Sequence, residues 1–157
     1  MQLVVNEWLP EYFRRAASRE EQLSLQQFIQ RFIERGDQLL VRRPSPFLEK
    51  IYRYAKELNG NDDALKPLRN FIKLVLSDTK RCIFIDDPVL TLPDDIEHQL
   101  TRPQVPPLNN FESDRYLFEA AIFGPDRVII STDLKLIKAM EGVSIQVVEL
   151  SDFLKTY

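Results

Sequence analysis

Short apolar runs alternate along the chain with longer stretches of helical spacing. The apolar runs are typical of buried strands and lie at residues 2–5, 38–41, 82–85, 127–131 and 144–150. Between most of them, apolar residues recur every three or four positions, which predicts amphipathic helices. Strands that alternate with helices favour a parallel sheet covered on both faces. We therefore expect an α/β fold, a three-layer α/β/α sandwich with a central, mainly parallel sheet, with residues 1–157 as one domain.

Capping residues predict where the helices begin and end. A first helix is predicted from Trp8 to Ala17, and a second restarts at Ser18 and stops at Gly36. Ser45 is a predicted N-cap, with a proline at the next position. The remaining helices are predicted to begin at Asp62 or Asp63, at Ser113, at Leu134 and at Ser151. The proline-rich segment 100–110 is predicted to be an ordered surface loop.

Composition excludes several kinds of site. The chain has one cysteine, one histidine and four glycines, so it cannot form a disulfide within itself, a cysteine zinc cluster or a multi-histidine site. It contains no dinucleotide-binding or P-loop glycine motif and no nucleophile elbow. A metal site would have to use carboxylates, which suit hard ions such as Mg²⁺ or Mn²⁺.

Charge and hydropathy limit the kinds of partner that the protein is expected to bind. The net charge is −3, so a nucleic-acid role would need a local basic patch. No apolar stretch is long enough to span a bilayer, and we expect neither a signal peptide nor a membrane partner. A lone thiol suits a reducing compartment, so the expected location is cytoplasmic.

Acidic and polar side chains follow the predicted strands. Asn6 and Glu7 follow the first strand, Asp86 the third, and Asp133 the fourth. Asp114 and Glu49 lie near the starts of helices. The carboxyl ends of parallel strands meet at one edge of a sheet, which is where such folds bind ligands. Carboxylates that converge there repel one another, and a divalent cation would remove that cost.

Three segments in the second half of the chain carry a family resemblance. They are Asp114-Arg-Tyr-Leu-Phe-Glu-Ala-Ala-Ile, Val128-Ile-Ile-Ser-Thr-Asp133 and Val147-Val-Glu-Leu-Ser-Asp-Phe-Leu. An acid that opens a helix, an Ala-Ala step, a strand ending in Thr-Asp and a final Phe-Leu turn resemble the closing third of PIN domains. Glu49 and the acid-bearing end of the first strand match the rest of that pattern more loosely. The resemblance covers most of the chain in order and spacing.

The resemblance implies a metal-dependent endoribonuclease acting on single-stranded RNA, of a kind often found as bacterial toxins. The implied catalytic residues are Glu49, Asp114 and Asp133, which would bind Mg²⁺ or Mn²⁺ together with an acid from the first strand. This chain departs from the pattern there, because the position that usually holds Asp looks like Asn6. An asparagine can ligate through its carbonyl but brings no charge, which would weaken metal binding. Glu7 is the alternative ligand, provided that the strand ends one residue later.

Basic and hydroxyl side chains near these acids are candidates for binding substrate. They are Arg42, Arg43, Arg115, Thr132 and Lys135. The implied partner is RNA, and the resemblance leaves open an antitoxin-like protein partner and a homodimer.

Each acid also has a purely structural explanation. Asp114 and Asp133 favour helix N-termini, Glu49 suits an exposed or capping position, and Asp86 begins a turn-forming Asp-Asp-Pro sequence. His98 is predicted to lie on the surface. Two other functions stay open: a catalytically weakened PIN-like module that binds RNA or protein, and a receiver-like signalling domain, which the absence of an acidic pair at the first strand disfavours.

Overall fold

The protein was analysed as a computed structural model that describes residues 1–57, 66–86, 91–104 and 110–157. The strands are β1 (Gln2–Val5), β2 (Gln38–Arg42), β3 (Cys82–Ile85), β4 (Val128–Ser131) and β5 (Gln146–Glu149). They form one sheet in the order β3-β2-β1-β4-β5, and every pair of neighbours is parallel. This confirms the predicted parallel sheet.

Helices cover both faces of the sheet, as the strand–helix alternation predicted. They are α1 (Trp8–Tyr12), α2 (Arg19–Arg35), α3 (Pro46–Glu57), α4 (Lys66–Phe71), α5 (Asp94–Thr101), α6 (Arg115–Ala121), α7 (Leu134–Ala139) and α8 (Leu150–Thr156). Helix α4 continues into a π-helical turn, Ile72–Leu76, and a 3₁₀ turn, Glu112–Asp114, precedes α6. Helix α2 packs on α1 and α8, whereas α6 packs on β1, β2 and β4. The architecture is a three-layer α/β/α sandwich.

The strand order reverses between β1 and β4. The chain adds β2 and β3 on one side of β1, and then crosses to add β4 and β5 on the other side. The register pairs Val5 with Ile130, so the residues that follow β1 and β4 lie side by side at the carboxyl edge. In parallel α/β sheets, such a switch point opens the crevice where ligands bind.

Several predicted helix limits in the first half of the chain are confirmed, and the end of the first helix is wrong. Ser18 and Glu21 form a capping box at the start of α2, and Gly36 ends that helix with a φ of 69°. The Ser45 hydroxyl accepts a hydrogen bond from the backbone of Leu48 at the start of α3. Helix α1, however, ends at Tyr12 instead of continuing to residue 17. The backbone beyond it forms two separate four-residue turns, closed by hydrogen bonds from Arg14 to Glu11 and from residue 17 to Arg14.

Other differences lie in the second half of the chain. Helix α5 was not predicted, and it includes the first two residues of the segment taken as a loop, whose residues 105–109 lie outside the described residues. Ser113 is not the cap of α6: the helix begins after Asp114, which makes no side-chain capping bond. Helix α8 begins at Leu150, one residue before its predicted cap. The predicted helix start at Asp62 or Asp63 lies outside the described residues.

The core is formed by apolar side chains from the sheet and from the helices on both faces. Phe28, Phe47 and Phe118 are among the largest fully buried side chains. Cys82 is buried at the start of β3, and burial raises the pKa of its thiol to about 12, so this residue belongs to the core. His98 is exposed on α5, as predicted. No helix among the residues that the structure describes is long and apolar enough to cross a bilayer.

Candidate functional site

Asn6 joins the ends of β1 and β4. Its side-chain nitrogen donates a 2.8 Å hydrogen bond to the Ser131 hydroxyl, and its carbonyl oxygen accepts one from the backbone of Trp8 at 3.3 Å. Ser131 is fully buried, and its hydroxyl also accepts a bond from the backbone of Asp133 at 3.0 Å. Asn6 therefore fixes the floor of the switch-point crevice.

Glu7 supplies the carboxylate at the end of β1. It occupies the N-cap position of α1 with helical backbone angles, but its side chain makes no capping bond. Its charge acts on α6 across the crevice, where it raises the pKa of Asp114 and of Tyr116. The strand ends at Val5, so the condition under which Glu7 was expected to be the ligand, a strand that ends one residue later, is not met. Glu7 comes near Asp114 through the turn at Asn6 into α1 instead.

Asp114 is the most perturbed carboxylate of the crevice. Burial, the nearby charge of Glu7 and the nearby charge of Asp133 together raise its pKa from 3.8 to about 6. The guanidinium of the next residue, Arg115, does not relieve this repulsion. It forms bidentate pairs with Glu97 at 2.6 and 2.7 Å and with Glu112 at 2.9 Å. We call Glu7, Asp114 and Asp133 the acidic crevice.

Asp133 has a structural role as well as its charge. It is exposed and caps α7, because its Oδ1 accepts hydrogen bonds from the backbones of Lys135 at 2.9 Å and Leu136 at 3.2 Å. The helix-start interpretation of this residue is therefore confirmed. Since both capping bonds go to Oδ1, the cap leaves Oδ2 available to another partner.

Tyr116 adds a buried polar group that the sequence did not reveal. Its side chain is 9% exposed, and its hydroxyl is the one buried side-chain polar atom of the described chain without a hydrogen-bond partner. Burial, the charges of Glu7 and Asp114, and a side-chain hydrogen bond to Glu7 raise its pKa, in that order. Because this contact with Glu7 falls outside normal hydrogen-bond geometry, the hydroxyl lies beside the Glu7 carboxylate without a well-formed bond to it. A buried group without a partner costs about 1–3 kcal/mol.

Glu49 lies apart from this arrangement. It is exposed on α3, in a groove that also contains Arg43 and Tyr52. The carboxylates that raise the pKa of Asp114 are those of Glu7 and Asp133, and Glu49 does not contribute. Within the described ranges, no three carboxylate, imidazole or thiol groups stand close enough together to hold a metal ion. The assignment of Glu49 as a ligand stays a prediction.

The predicted substrate-binding residues fall into two groups. The three arginines are engaged in ion pairs. Arg42 binds Glu119 at 2.9 Å with both side chains largely buried, Arg43 binds Asp86 through two bonds of 2.5 and 2.6 Å, and Arg115 is paired as described above. Thr132 and Lys135 are exposed on either side of Asp133. These two are the best placed to meet a ligand in the acidic crevice.

Comparison of the chain with models of protein families, with curated proteins and with solved structures found no match. The interpretation of the site therefore depends on its own geometry and chemistry.

Proposed function

We propose that the protein is a metal-dependent endoribonuclease that hydrolyses phosphodiester bonds of single-stranded RNA in the acidic crevice. The observation that carries the proposal is the raised pKa of Asp114, to about 6, under the charges of Glu7 and Asp133. Glu7 and Asp133 thus lie near enough to Asp114 at the switch point of the parallel sheet to disfavour its charge, although the three carboxylates do not stand within metal-binding distance of one another in the described chain. The resemblance to PIN domains supports two of these residues, Asp114 and Asp133; its third implied catalytic residue is Glu49, and Glu7 is only the alternative ligand at the first strand.

The chemistry of these donors fits a hard divalent cation. All three residues offer carboxylate oxygens, which suit Mg²⁺ or Mn²⁺. A positive charge between them would favour the ionised form of Asp114. The hydroxyl of Tyr116, which lies beside Glu7 without a well-formed hydrogen bond, could donate one to Glu7 and hold that carboxylate in the orientation of a ligand.

When bound, such an ion would supply a water of lowered pKa and would shield the charge that develops on the phosphate. The residues of the chain have separate tasks around it. Glu7, Asp114 and Asp133 would hold the ion. The hydrogen bond between Asn6 and Ser131 joins the ends of β1 and β4, and so helps to fix the positions of Glu7 and Asp133. Lys135, exposed beside Asp133, would contact a substrate phosphate.

A cleavage assay tests the proposal directly. Purified protein with Mn²⁺ should cut a fluorescently labelled single-stranded RNA, and Asp114→Asn and Glu7→Gln should each abolish the cleavage. Asp152→Asn is the matched control, because Asp152 is exposed on α8 and paired with Lys155. Cleavage that survives in both crevice variants would show that the activity belongs to another site or another protein.

The second candidate is a binding module without catalysis. Two observations favour it: no three potential ligands in the described ranges stand within metal-binding distance of one another, and the residue that follows β1 is the uncharged Asn6. Such a module would bind RNA or a protein partner, antitoxin-like or a second copy of the chain. It should show no rise in melting temperature with Mn²⁺, whereas an ion that binds only the native state raises it.

A further inference from the structure

A groove with a volume of about 660 Å³ runs along the outer face of α3. One wall is the segment Arg43-Pro44-Ser45 that follows β2, and the other is formed by side chains of α3. The α3 side chains of this wall share one face of the helix, because they lie three, four and seven positions after Glu49. They are Glu49 itself, Tyr52, Arg53 and Lys56. The helix buries other residues, including Phe47 and Ile51, against the core. The groove is therefore lined by the solvent-facing side chains of α3 and is not a cavity in the core.

The groove combines cations with an exposed aromatic ring. Arg43, Arg53 and Lys56 face a single carboxylate of the lining, that of Glu49. Asp86 pairs with Arg43 from outside the groove. Tyr52 is 44% exposed in this groove. A cationic groove with an exposed aromatic ring is the chemistry that binds single-stranded nucleic acid, because phosphates meet the cations and a base stacks on the ring.

The groove opens at the same edge of the sheet as the acidic crevice. Strands β1 and β2 are parallel neighbours with Leu3 opposite Leu39, so Glu7, which comes after β1, and Arg43, which comes after β2, lie at the same carboxyl edge of the sheet. Adjacent strands lie about 4.8 Å apart. A strand of nucleic acid lying in the groove could therefore pass to the acidic crevice without leaving the surface of the protein.

We propose that this groove is the binding site for the single-stranded RNA, with Tyr52 stacking on a base and Lys56 contacting a phosphate. The identity of the ligand rests on the proposed function, but binding in the groove needs no metal ion and no cleavage. Arg53 lies on the same wall, and its guanidinium also sits 5.4 Å from the ring of Tyr54. Arg43 forms an ion pair with Asp86, so it is not assigned a contact with the RNA.

The test measures the affinity for a fluorescent oligouridine in EDTA, so that cleavage cannot contribute. Tyr52→Ala should raise the Kd at least about fivefold, the lower end of what stacking on one aromatic ring contributes. Lys56→Gln should reduce the slope of log affinity against log salt concentration by about 0.7, the value for one phosphate contact with a single strand. Circular dichroism and melting of each variant verify that it is folded.

Matched controls lie elsewhere on the surface. Phe123 is 49% exposed and precedes Gly124, which lies against Gln2 at the opposite edge of the sheet, so Phe123→Ala should leave the Kd unchanged. Lys138→Gln on α7 is the control for the salt slope, because Lys138 is also an exposed lysine. Absence of oligouridine binding, or equal effects of groove and control variants, would overturn the proposal. So would equally tight, Tyr52-dependent binding of a polyglutamate peptide, which would indicate an acidic protein partner.

The test of groove binding and the test of cleavage can give different results. Asp114→Asn should bind oligouridine at least as tightly as the unmodified protein, because it removes a negative charge near the path of the strand. Groove binding without any Mn²⁺-dependent cleavage would support the groove and contradict the nuclease. Cleavage whose KM is unaffected by Tyr52→Ala would support the nuclease and contradict the groove.

Discussion

Replacement of Asp114 by asparagine should stabilise the metal-free protein. The pKa of Asp114 is raised from 3.8 to about 6, first by burial and then by Glu7 and Asp133, so its ionised form is disfavoured in the folded state. The dipole of α6 acts in the opposite direction, by about 0.3–1 kcal/mol. Burial and the charges of the two acids are the causes of the upward shift. The asparagine side chain would keep the shape of the aspartate without its charge, and no capping bond is lost because Asp114 makes none.

The magnitude follows from the size of the shift. Each pKa unit corresponds to about 1.4 kcal/mol, so a change from 3.8 to about 6 sets an upper limit of about 3 kcal/mol. Asp114 is only partly buried, and solvent screens part of this cost. We therefore expect Asp114→Asn to raise the free energy of unfolding by about 1–2 kcal/mol, or the Tm by about 2–8 °C for a chain of this length.

The gain should depend on pH with a definite sign. The folded state holds the proton of Asp114 more tightly than the unfolded state, so the destabilisation is absent below 3.8, grows as the pH rises towards about 6, and is complete above it. Thermal and urea unfolding in EDTA, at about pH 7.5 and about pH 3.5, should show the gain at the higher pH alone. Asp152→Asn should leave stability nearly unchanged. A variant no more stable than the unmodified protein at the higher pH, or equally stabilised at both, would refute the electrostatic reasoning.

Three other substitutions probe the remaining parts of the account. Tyr116→Phe removes the buried hydroxyl that has no partner and should leave stability unchanged or raise it by about 1 kcal/mol; a loss in urea unfolding would show that the hydroxyl is satisfied. Ser131→Ala leaves the amide of Asn6 and the backbone of Asp133 without their acceptor, so it should lower the free energy of unfolding by about 1–3 kcal/mol in the same assay. An unchanged stability would contradict the structural role given to these two hydrogen bonds. Glu49→Gln should preserve the rise of melting temperature with Mn²⁺ if the acidic crevice alone binds the ion, and its disappearance would make Glu49 a ligand.

The fold was largely accessible from the sequence because its signals are local. The apolar runs of β1 to β4 are short and bounded by polar residues, and the caps at Ser18, Gly36 and Ser45 act within one turn. Helix α5 gave a weaker signal, because only Ile96 and Leu100 of its eight residues are buried. The early end of α1 was also hidden, since the apolar spacing continues past the turn at Tyr12.

The site was less accessible because it depends on contacts between remote segments. The sequence predicted Asp114 and Asp133 at the carboxyl edge of the sheet, and the structure has them there. The choice between Asn6 and Glu7 depended on the direction of the chain after β1, which the register with β4 and the bond to Ser131 determine. The pairing of Arg115 with Glu97 joins residues on two helices, and nothing in the local pattern indicates it.

The most direct test of the account is the binding of Mn²⁺ itself, measured by electron paramagnetic resonance as free ion lost on titration of the protein. The account predicts saturable binding that Glu7→Gln and Asp114→Asn each weaken by at least about tenfold, while Asp152→Asn leaves it unchanged. Absence of saturable binding, or binding equally strong in the two crevice variants, would contradict the claim that these acids meet to hold a cation.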